Sequence, residues 1–491
     1  MKLSALLDGY DHHVLHGDPD VPVTAGVTFD AGQVTSGSLY VAVPGHEEGG
    51  PGGISRALER GAVAVLAEGD ALPGEAAAGR VCVVRVADAR AAASLVASRY
   101  YGDPGRAMNV VAITGTNGKT SVSYMIESAL RLAAGAKVGV IGTSGSRIGI
   151  EPIPMPRSVL STPESPDLQY LLGHMRDRGT SSVVLEATSM GLLQQRLDHV
   201  PVSVGVFTNL TQDHLDDHGT MEHYKNAKLR LFAGLCERAV VNADDPVGAE
   251  IQALMPGAVT TYGIDAPEAD YRASDLVVDA GGTRFTLHHD GRKYPAAIPI
   301  PGRFSVSNAL ATLAACHLLG HELPALVEAL DRMPPTPGRL ERFTTAQGVC
   351  VIVDYAHSPD SLEKVLATVR GFATGSVITV FGCGGDRDIT KRALMGEIAG
   401  RFSDLCVLTS DNPRNEDPET ILDQIVPGLT STGTPFERVA DRRSAIAHAL
   451  SAAQEGDIVL VAGKGSEPYQ IVGDRLIAFD DMTVVRELDA L

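Results

Sequence analysis

Residues 110–122, VVAITGTNGKTSV, carry the most specific chemical signal in the chain. A β-branched apolar run (Val110, Val111, Ile113) enters a turn of Thr114, Gly115, Thr116, Asn117 and Gly118. Lys119 and Thr120 follow at once. Val122, Met125, Ile126, Ala129 and Leu130 then recur at helical spacing. Strand, glycine loop, Lys-Thr and helix is the layout of a nucleoside-triphosphate site. Backbone N–H groups and a helix N-terminus cradle phosphate, the lysine adds positive charge, and the hydroxyl ligates Mg²⁺. The general pattern G-x-x-x-x-G-K-[ST] would need glycine at position 113, which is Ile113, so the loop is the shorter G-T-N-G-K-T form. A turn that merely needs glycines would not call for Lys and Thr straight after the second one.

Other chemistry-bearing residues follow. The run at 182–185 delivers Glu186 at its end, where parallel strands present ligand chemistry. Glu186 and Thr120 suit Mg²⁺, which takes few protein oxygens and keeps waters. A carboxylate at a helix start would also favour that position. Residues 209–219 (NLTQDHLDDHG) and 221–228 (MEHYKNAK) bring Asp213, His214, His218, Tyr224 and Lys228. As bare residues, these acids and histidines would equally suit an unrelated metal site, zinc included. Tyr224 and Lys228, four apart, share a helix face. Ser161, Thr162, Thr188, Ser189, Arg196 and Asn308 read alone as ordinary loop and cap residues.

These groups need a scaffold. Strand-like runs alternate with helical patterns, which predicts an α/β fold with parallel sheets. The runs lie at 38–43, 62–66, 137–141, 182–185, 203–207, 238–241, 349–353, 376–380, 404–408 and 457–461. A length of 491 residues suits about three domains. The turn YGDPG at 101–105 and the prolines at 334, 335 and 337 divide the chain into 1–106, 107–333 and 334–491. The net charge of −19 argues against a nucleic-acid surface but not against phosphate held by a local loop. Six scattered cysteines without C-x-x-C suggest a reduced, cytoplasmic protein. The opening MKLSALLDGYDHHV does not read as a signal peptide, and no apolar run reaches membrane-spanning length. A soluble protein with no membrane or nucleic-acid partner is expected.

The G-T-N-G-K-T loop, the glutamate after a strand and the Asn209…Asp213-His214…Tyr224…Lys228 series together resemble the Mur ligases, ATP-dependent amide synthetases of cell-wall precursor assembly. The resemblance runs from about residue 20 to 485. It implies a three-domain architecture with a central P-loop domain and a C-terminal Rossmann-like domain, acting as a monomer on small molecules. It implies that Gly115, Thr116, Asn117, Gly118, Lys119 and Thr120 hold ATP with Asn308, Arg339 and Asp354. Arg339 would meet phosphate and Asp354 the ribose. Mg²⁺ ions would be held by Thr120, Glu186, His214 and Lys228, the lysine as a carbamate. A bare ammonium would repel the metal, whereas a carbamate offers hard anionic oxygens. Lys119, Glu186, His214 and Lys228 would thus be catalytic. Ser161, Thr162, Thr188, Ser189 and Arg196 resemble contacts to the carboxylate donor. Asp411-Asn412-Pro413-Arg414 resembles the branch that adds diaminopimelate to a UDP-N-acetylmuramoyl-dipeptide through an acyl phosphate. There Arg414 would grip a distal carboxylate. Gly463 and Glu467 would complete that site with Arg387, Asp411 and Asn412.

Departures cluster on acceptor contacts. The family's Asp-Ser-Arg is Asp30-Ala31-Gly32 here, and a later Asp and aromatic are Gly49 and Gly53. A Ser-Ser-His becomes Thr188-Ser189-Met190, and Gly-Lys-Gly-His-Glu becomes Gly463-Lys464-Gly465-Ser466-Glu467. Losing a hydrogen bond to a charged ligand costs about 1.5–3 kcal/mol. An ADP-forming ligase of the diaminopimelate branch is expected, with a paralogue that uses a carboxylate without uridine as the alternative. The alternative predicts weak uridine-nucleotide binding.

Overall fold

The computed structural model describes residues 1–46, 50–69, 81–154, 160–213 and 215–490. Its first sheet orders His12–His16, Cys82–Val86, Ala64–Glu68, Leu39–Ala42 and Val27–Thr28, with only the His12–His16 edge antiparallel. In the 11-stranded second sheet, Asn109–Thr114 lies between Ser182–Glu186 and Val202–Phe207. Parallel pairing continues to Val138–Gly142 on one side and through Cys236–Asn242 and Val259–Gly263 on the other. An antiparallel meander, Tyr271–Asp279, Gly282–His289 and Arg292–Ile298, finishes that edge.

The unbroken apolar strands follow from burial on both faces. Val111, Ile113, Val184, Val204 and Val206 join one core with the helices Lys119–Ala134, Arg303–Leu318 and Leu323–Asp331. Val110, Ala112, Val183 and Leu185 join the opposite core with the helix Ser165–Asp177. The helix Arg303–Leu318 is buried almost all round, so its alanines replace an amphipathic pattern. The chain leaves Asn109–Thr114 toward one side of the sheet and later returns to its other side. Such a reversal opens a crevice at the strand ends.

The third sheet orders Glu341–Thr344, Cys350–Asp354, Ile458–Ala462, Val377–Phe381, Leu405–Leu408 and Phe436–Arg438, parallel except for its first strand. The closing helix Asp481–Asp489 is tied to it by a fully buried pair. Arg442 donates to both Asp481 oxygens at 2.7 and 2.8 Å, and to the Ala462 carbonyl at 3.1 Å. Among the described residues no helix is long and apolar enough to cross a membrane.

Candidate active site

The loop after Asn109–Thr114 needs both its glycines. Gly115 (φ +146°) and Gly118 (φ +89°) have left-handed backbones, and a Cβ at 115 would overlap the Thr208 hydroxyl. A Cβ at 118 would stand 2.6 Å from Asn308 Oδ1, so Asn308 packs directly on the loop. Asn209 fixes the loop from the neighbouring strand end: its carbonyl accepts from Thr116 N at 2.8 Å and its Oδ1 from Asn117 N at 3.0 Å. Lys119 opens the helix and folds its ammonium back onto the Gly115 and Thr116 carbonyls, both at 2.9 Å. Burial lowers its pKa, with Glu186 and Asp213 opposing.

Glu186 is fully buried where its strand ends beside this loop. Thr120 Oγ1 and Thr143 Oγ1 both donate to Glu186 Oε2, at 3.1 and 3.0 Å, and Thr143 N donates to Oε1 at 3.2 Å. A carboxylate and two hydroxyls converging on one point form a hard-oxygen set that fits Mg²⁺. Arg339 arrives from the segment leading into the third sheet. It donates to Thr120 Oγ1 at 3.2 Å, and its guanidinium lies 4.4 Å from the Tyr355 ring centre. Asp354 is buried, accepting from Leu340 N and Ala356 N at 2.8 Å each. Burial raises its pKa against the pull of Arg339. Much of this carboxylate's bonding capacity therefore goes to shaping its own loop.

Lys228 projects from the helix Met221–Leu229, 4.2 Å from the Tyr224 ring on the same face. It is 2% exposed and donates to the Gly115 carbonyl at 2.9 Å, the oxygen that Lys119 also holds. Burial first, then the Lys119 charge, depresses its pKa far below the ordinary lysine value. A neutral amine is the form that reacts with CO₂. His214 lies outside the described residues. His218 turns to Ser189, with Nε2 2.9 Å from the hydroxyl.

Two cavities meet here. One, of about 260 Å³, is lined by residues 116–121, Glu186, Phe304, Asn308, Arg339, Asp354, His357 and Lys364. The other, of about 810 Å³, runs to the first sheet between Phe29, Asp30, Gln33, His46, Arg90, Thr162, Met190, Arg196, Tyr224, Lys228 and Arg387. Lys119, Ser161 and Thr188 line both. Several predicted contacts also build the wall. Thr162 Oγ1 donates to the Glu186 carbonyl at 2.7 Å, Thr188 caps the helix Ser189–Leu193, and Ser161 lies 2.9 Å from the Thr143 hydroxyl. Arg196 donates to the Thr162 carbonyl at 2.7 Å and Glu164 at 2.9 Å. Glu164 also takes Arg90 at 3.1 Å, a cleft arginine no motif marked.

The first-sheet end differs from the expectation of a ringless pocket. Phe29 and His46 meet edge to face there, with centroids 5.6 Å apart. A Cβ at Gly53 would stand 2.5 Å from the Tyr40 hydroxyl oxygen and 3.3 Å from its Cζ, too close without a shift. Tyr40 thus fills the space a side chain at 53 would take, and its hydroxyl donates to the Gly50 carbonyl at 2.8 Å. Gly49 lies outside the described residues.

A third cluster forms on the last sheet. Lys464 is fully buried and donates to Glu467 at 2.9 Å and to Asn412 Oδ1 at 3.2 Å, while Asn412 Nδ2 reaches Glu467 at 2.9 Å. Arg414 (φ +50°) donates from Nη1 to the Gly385 carbonyl at 2.8 Å. Asp411 is 8% exposed, and its Oδ2 is buried with no hydrogen-bond partner among the described residues. A Cβ at Gly463 would press on this carboxylate, at 3.6 Å from its Cγ. Arg387 lines the large cleft, and a Cβ at Gly384 would meet both Arg414 Nη1, at 3.0 Å, and Arg387 Cγ, at 3.7 Å. Sequence motifs marked Asp411, Asn412, Arg414, Gly463 and Glu467 of this cluster and gave Lys464, which lies in the same run, no role of its own.

Three large sheets, a phosphate loop and a carboxylate-lined crevice define a nucleotide-dependent ligase architecture. Residues 113–316 match the Mur ligase middle domain and residues 338–465 the Mur ligase glutamate ligase domain. The chain belongs to the Mur ligase family. It is 43% identical to a UDP-N-acetylmuramoyl-L-alanyl-D-glutamate–2,6-diaminopimelate ligase of Geobacillus thermodenitrificans, covering 99% of both chains. It is 40% identical to one of Caldanaerobacter subterraneus, again over 99% of both. A solved structure of a ligase with the same name superposes with a TM-score of 0.70 at 31% identity, covering 100% of this chain and 99% of the other. A MurF structure from Acinetobacter baumannii, at 18% identity and TM-score 0.67 over 100% of this chain and 98% of that one, shares the fold.

Proposed function

We propose that this chain joins 2,6-diaminopimelate to the free carboxylate of UDP-N-acetylmuramoyl-L-alanyl-D-glutamate, converting ATP to ADP and phosphate. The observation that carries this reading is the meeting of the two cavities at Lys119, Ser161 and Thr188. A nucleotide in the smaller cavity would point its terminal phosphate at an acceptor carboxylate in the larger one. The full-length relatives supply the substrate names. They lend no support to an acceptor without uridine, and the Phe29–His46 pair offers aromatic surface where the glycines offer none.

In this reading, residues 115–120 cradle the phosphates and Lys119 spreads the developing charge. Arg339 contacts the phosphate from the third sheet, and Asn308 and Phe304 wall the base end. Thr120, Glu186, His214 and carbamylated Lys228 would hold Mg²⁺, which when bound neutralises charge on the transferring phosphoryl group. The acceptor carboxylate attacks the terminal phosphorus, ADP leaves, and an acyl phosphate forms. The amine of diaminopimelate then attacks the acyl carbon and phosphate departs. Arg414 would grip the distal carboxylate, with Asp411, Asn412, Gly463 and Glu467 framing the amino-acid end and Arg387 between this site and the acceptor cleft. The domains divide near residues 106 and 333, and the enzyme works as a cytoplasmic monomer.

The test incubates the protein with ATP, Mg²⁺, diaminopimelate and the UDP-linked dipeptide. Mass spectrometry should show the tripeptide, and phosphorus NMR should show ADP and phosphate. AMP as the sole nucleotide product would refute the phosphoryl-transfer step. Ligation of other carboxylates but not this one would refute the acceptor.

A further inference from the structure

The phosphate-loop residue Asn117 is tied in two directions. Its backbone belongs to the central sheet, where its carbonyl accepts from the Thr208 hydroxyl at 2.6 Å and the Asn209 amide at 3.1 Å. Its side chain crosses to the third sheet's helix Pro359–Phe372 and donates to Asp360 Oδ2 at 2.9 Å. Thr211 Oγ1 donates to the same oxygen at 3.2 Å, and Lys364, one turn along, at 2.9 Å. From Thr211 the bonding runs inward. Thr211 N donates to Thr116 Oγ1 at 3.0 Å, and the Tyr224 hydroxyl donates to that oxygen at 3.2 Å. The Tyr224 ring covers Lys228.

We infer that Asp360 is a positioning residue for phosphoryl transfer, a latch that couples docking of the third sheet to the shape of the phosphate loop. The inference rests on reading residues 115–120 as the ATP site. One carboxylate oxygen gathers two donors from the central sheet and one from its own helix. When the third sheet is undocked, Asn117 and Thr211 lose that shared acceptor together. Ser361 and Lys364, on the same helix, wall the nucleotide cavity, so docking closes the cavity in the movement that sets the loop. ATP can enter an undocked loop, while transfer waits for the latch. A reactive acyl phosphate then forms only where water is excluded.

Asp360→Asn keeps an oxygen able to accept from Asn117 and Thr211, whereas Asp360→Ala removes it. Three measurements on the full chain separate the cases: calorimetry with a non-hydrolysable ATP analogue, phosphate release, and small-angle scattering with the analogue present. For Asp360→Ala, kcat should fall about tenfold or more, with analogue Kd changed less than about threefold and compaction on analogue binding reduced. Asp360→Asn should hold kcat within about threefold of wild type. Thermal unfolding tests for general damage, and Asp360→Ser, too short to reach Asn117, replaces an alanine variant that does not fold. Wild-type kcat in Asp360→Ala, or an equal loss in both variants, overturns the latch. Failure of the wild type to bind the analogue would instead refute the nucleotide site itself.

Discussion

A single methyl group at position 142 should disable the metal carboxylate while leaving the fold standing. Gly142 ends the strand Val138–Gly142 beside Glu186. A Cβ there would stand 2.7 Å from Glu186 Cδ and 2.8 Å from Cγ, and closer still to Oε1. The backbone at 142 is not left-handed, and the atoms nearest an alanine Cβ there all belong to Glu186. Relief to an ordinary separation of about 3.5–4 Å moves the carboxylate by about 1 Å. That shift breaks its bonds from Thr120 and Thr143. A misplacement of about 1 Å costs about a hundredfold in rate, or about 2.7 kcal/mol of barrier. Overpacking costs about 1–3 kcal/mol of stability, offset by about 0.4–1 kcal/mol from the stiffer unfolded chain. Gly139→Ala, on the same strand, is the control. Its Cβ meets the Met175 side chain, with Cε at 3.0 Å and Cγ at 3.2 Å, and methionine can bend away. Phosphate release titrated against Mg²⁺ should show kcat lowered about a hundredfold and a raised Mg²⁺ requirement for Gly142→Ala only. A folded Gly142→Ala enzyme with wild-type kcat and Mg²⁺ dependence, or an equal loss in Gly139→Ala, would refute the reasoning.

Lys228→Ala should lose most activity and regain part of it with short carboxylates that replace the carbamate oxygens; no rescue at any concentration speaks against that role. Burial and Lys119 depress the Lys228 pKa, so its neutral amine persists to lower pH than that of an ordinary lysine; at a fixed dissolved CO₂ concentration near pH 7, CO₂-depleted enzyme should regain activity, and no regain there speaks against the carbamate. Arg414→Ala should raise the KM for diaminopimelate by an amount on the order of 2–5 kcal/mol and that for ATP far less; equal effects on both would mark Arg414 as structural. Burial, Glu164 and Asp30 raise the Asp167 carboxyl from 3.8 to about 6. Between those values the native state keeps a proton that the unfolded state has lost, so this group's contribution to stability falls as pH rises through the window. Asp167→Asn should therefore stabilise the protein by about 1–3 kcal/mol near pH 7.5 and hardly at all near pH 4, as read by urea unfolding.

The central parallel strands were legible because burial on both faces writes them as unbroken β-branched runs. Residues 182–185 and 203–207 lie within the observed Ser182–Glu186 and Val202–Phe207. The meander from Tyr271 to Ile298 was not, since its half-exposed strands mix apolar with charged residues, as in YRASDLVVD. The phosphate loop was legible for a different reason: its geometry demands glycine at 115 and 118, and its chemistry demands Lys and Thr next. Residues that act through distant partners left no local trace. Arg90 meets Glu164 across 74 positions and Asn117 meets Asp360 across 243, and neither pairing has a spacing that a motif could hold. Tyr40 shows the limit of reading substitutions singly. The glycine at 53 looks like a lost ring, yet a ring from strand Leu39–Ala42 occupies that space.

The third sheet's order has a consequence for how the protein is made. Its strand Ile458–Ala462 emerges last of the six yet lies between Cys350–Asp354 and Val377–Phe381. A nascent chain that has passed Phe381 carries two open strand edges with nothing yet to join them, the arrangement most prone to wrong pairing. At about 5–20 residues per second, the joining strand takes on the order of ten seconds to arrive. Arg442 waits too, because its guanidinium has no carboxylate until Asp481 appears 39 residues later. The first two sheets have all their strands by Ile298 and are free to form during that interval. A ribosome-associated chaperone would therefore find its client surface in the last third of the chain. A stop codon just before residue 481 would remove more than one helix: it would leave a buried cation unpaired beneath the whole third sheet.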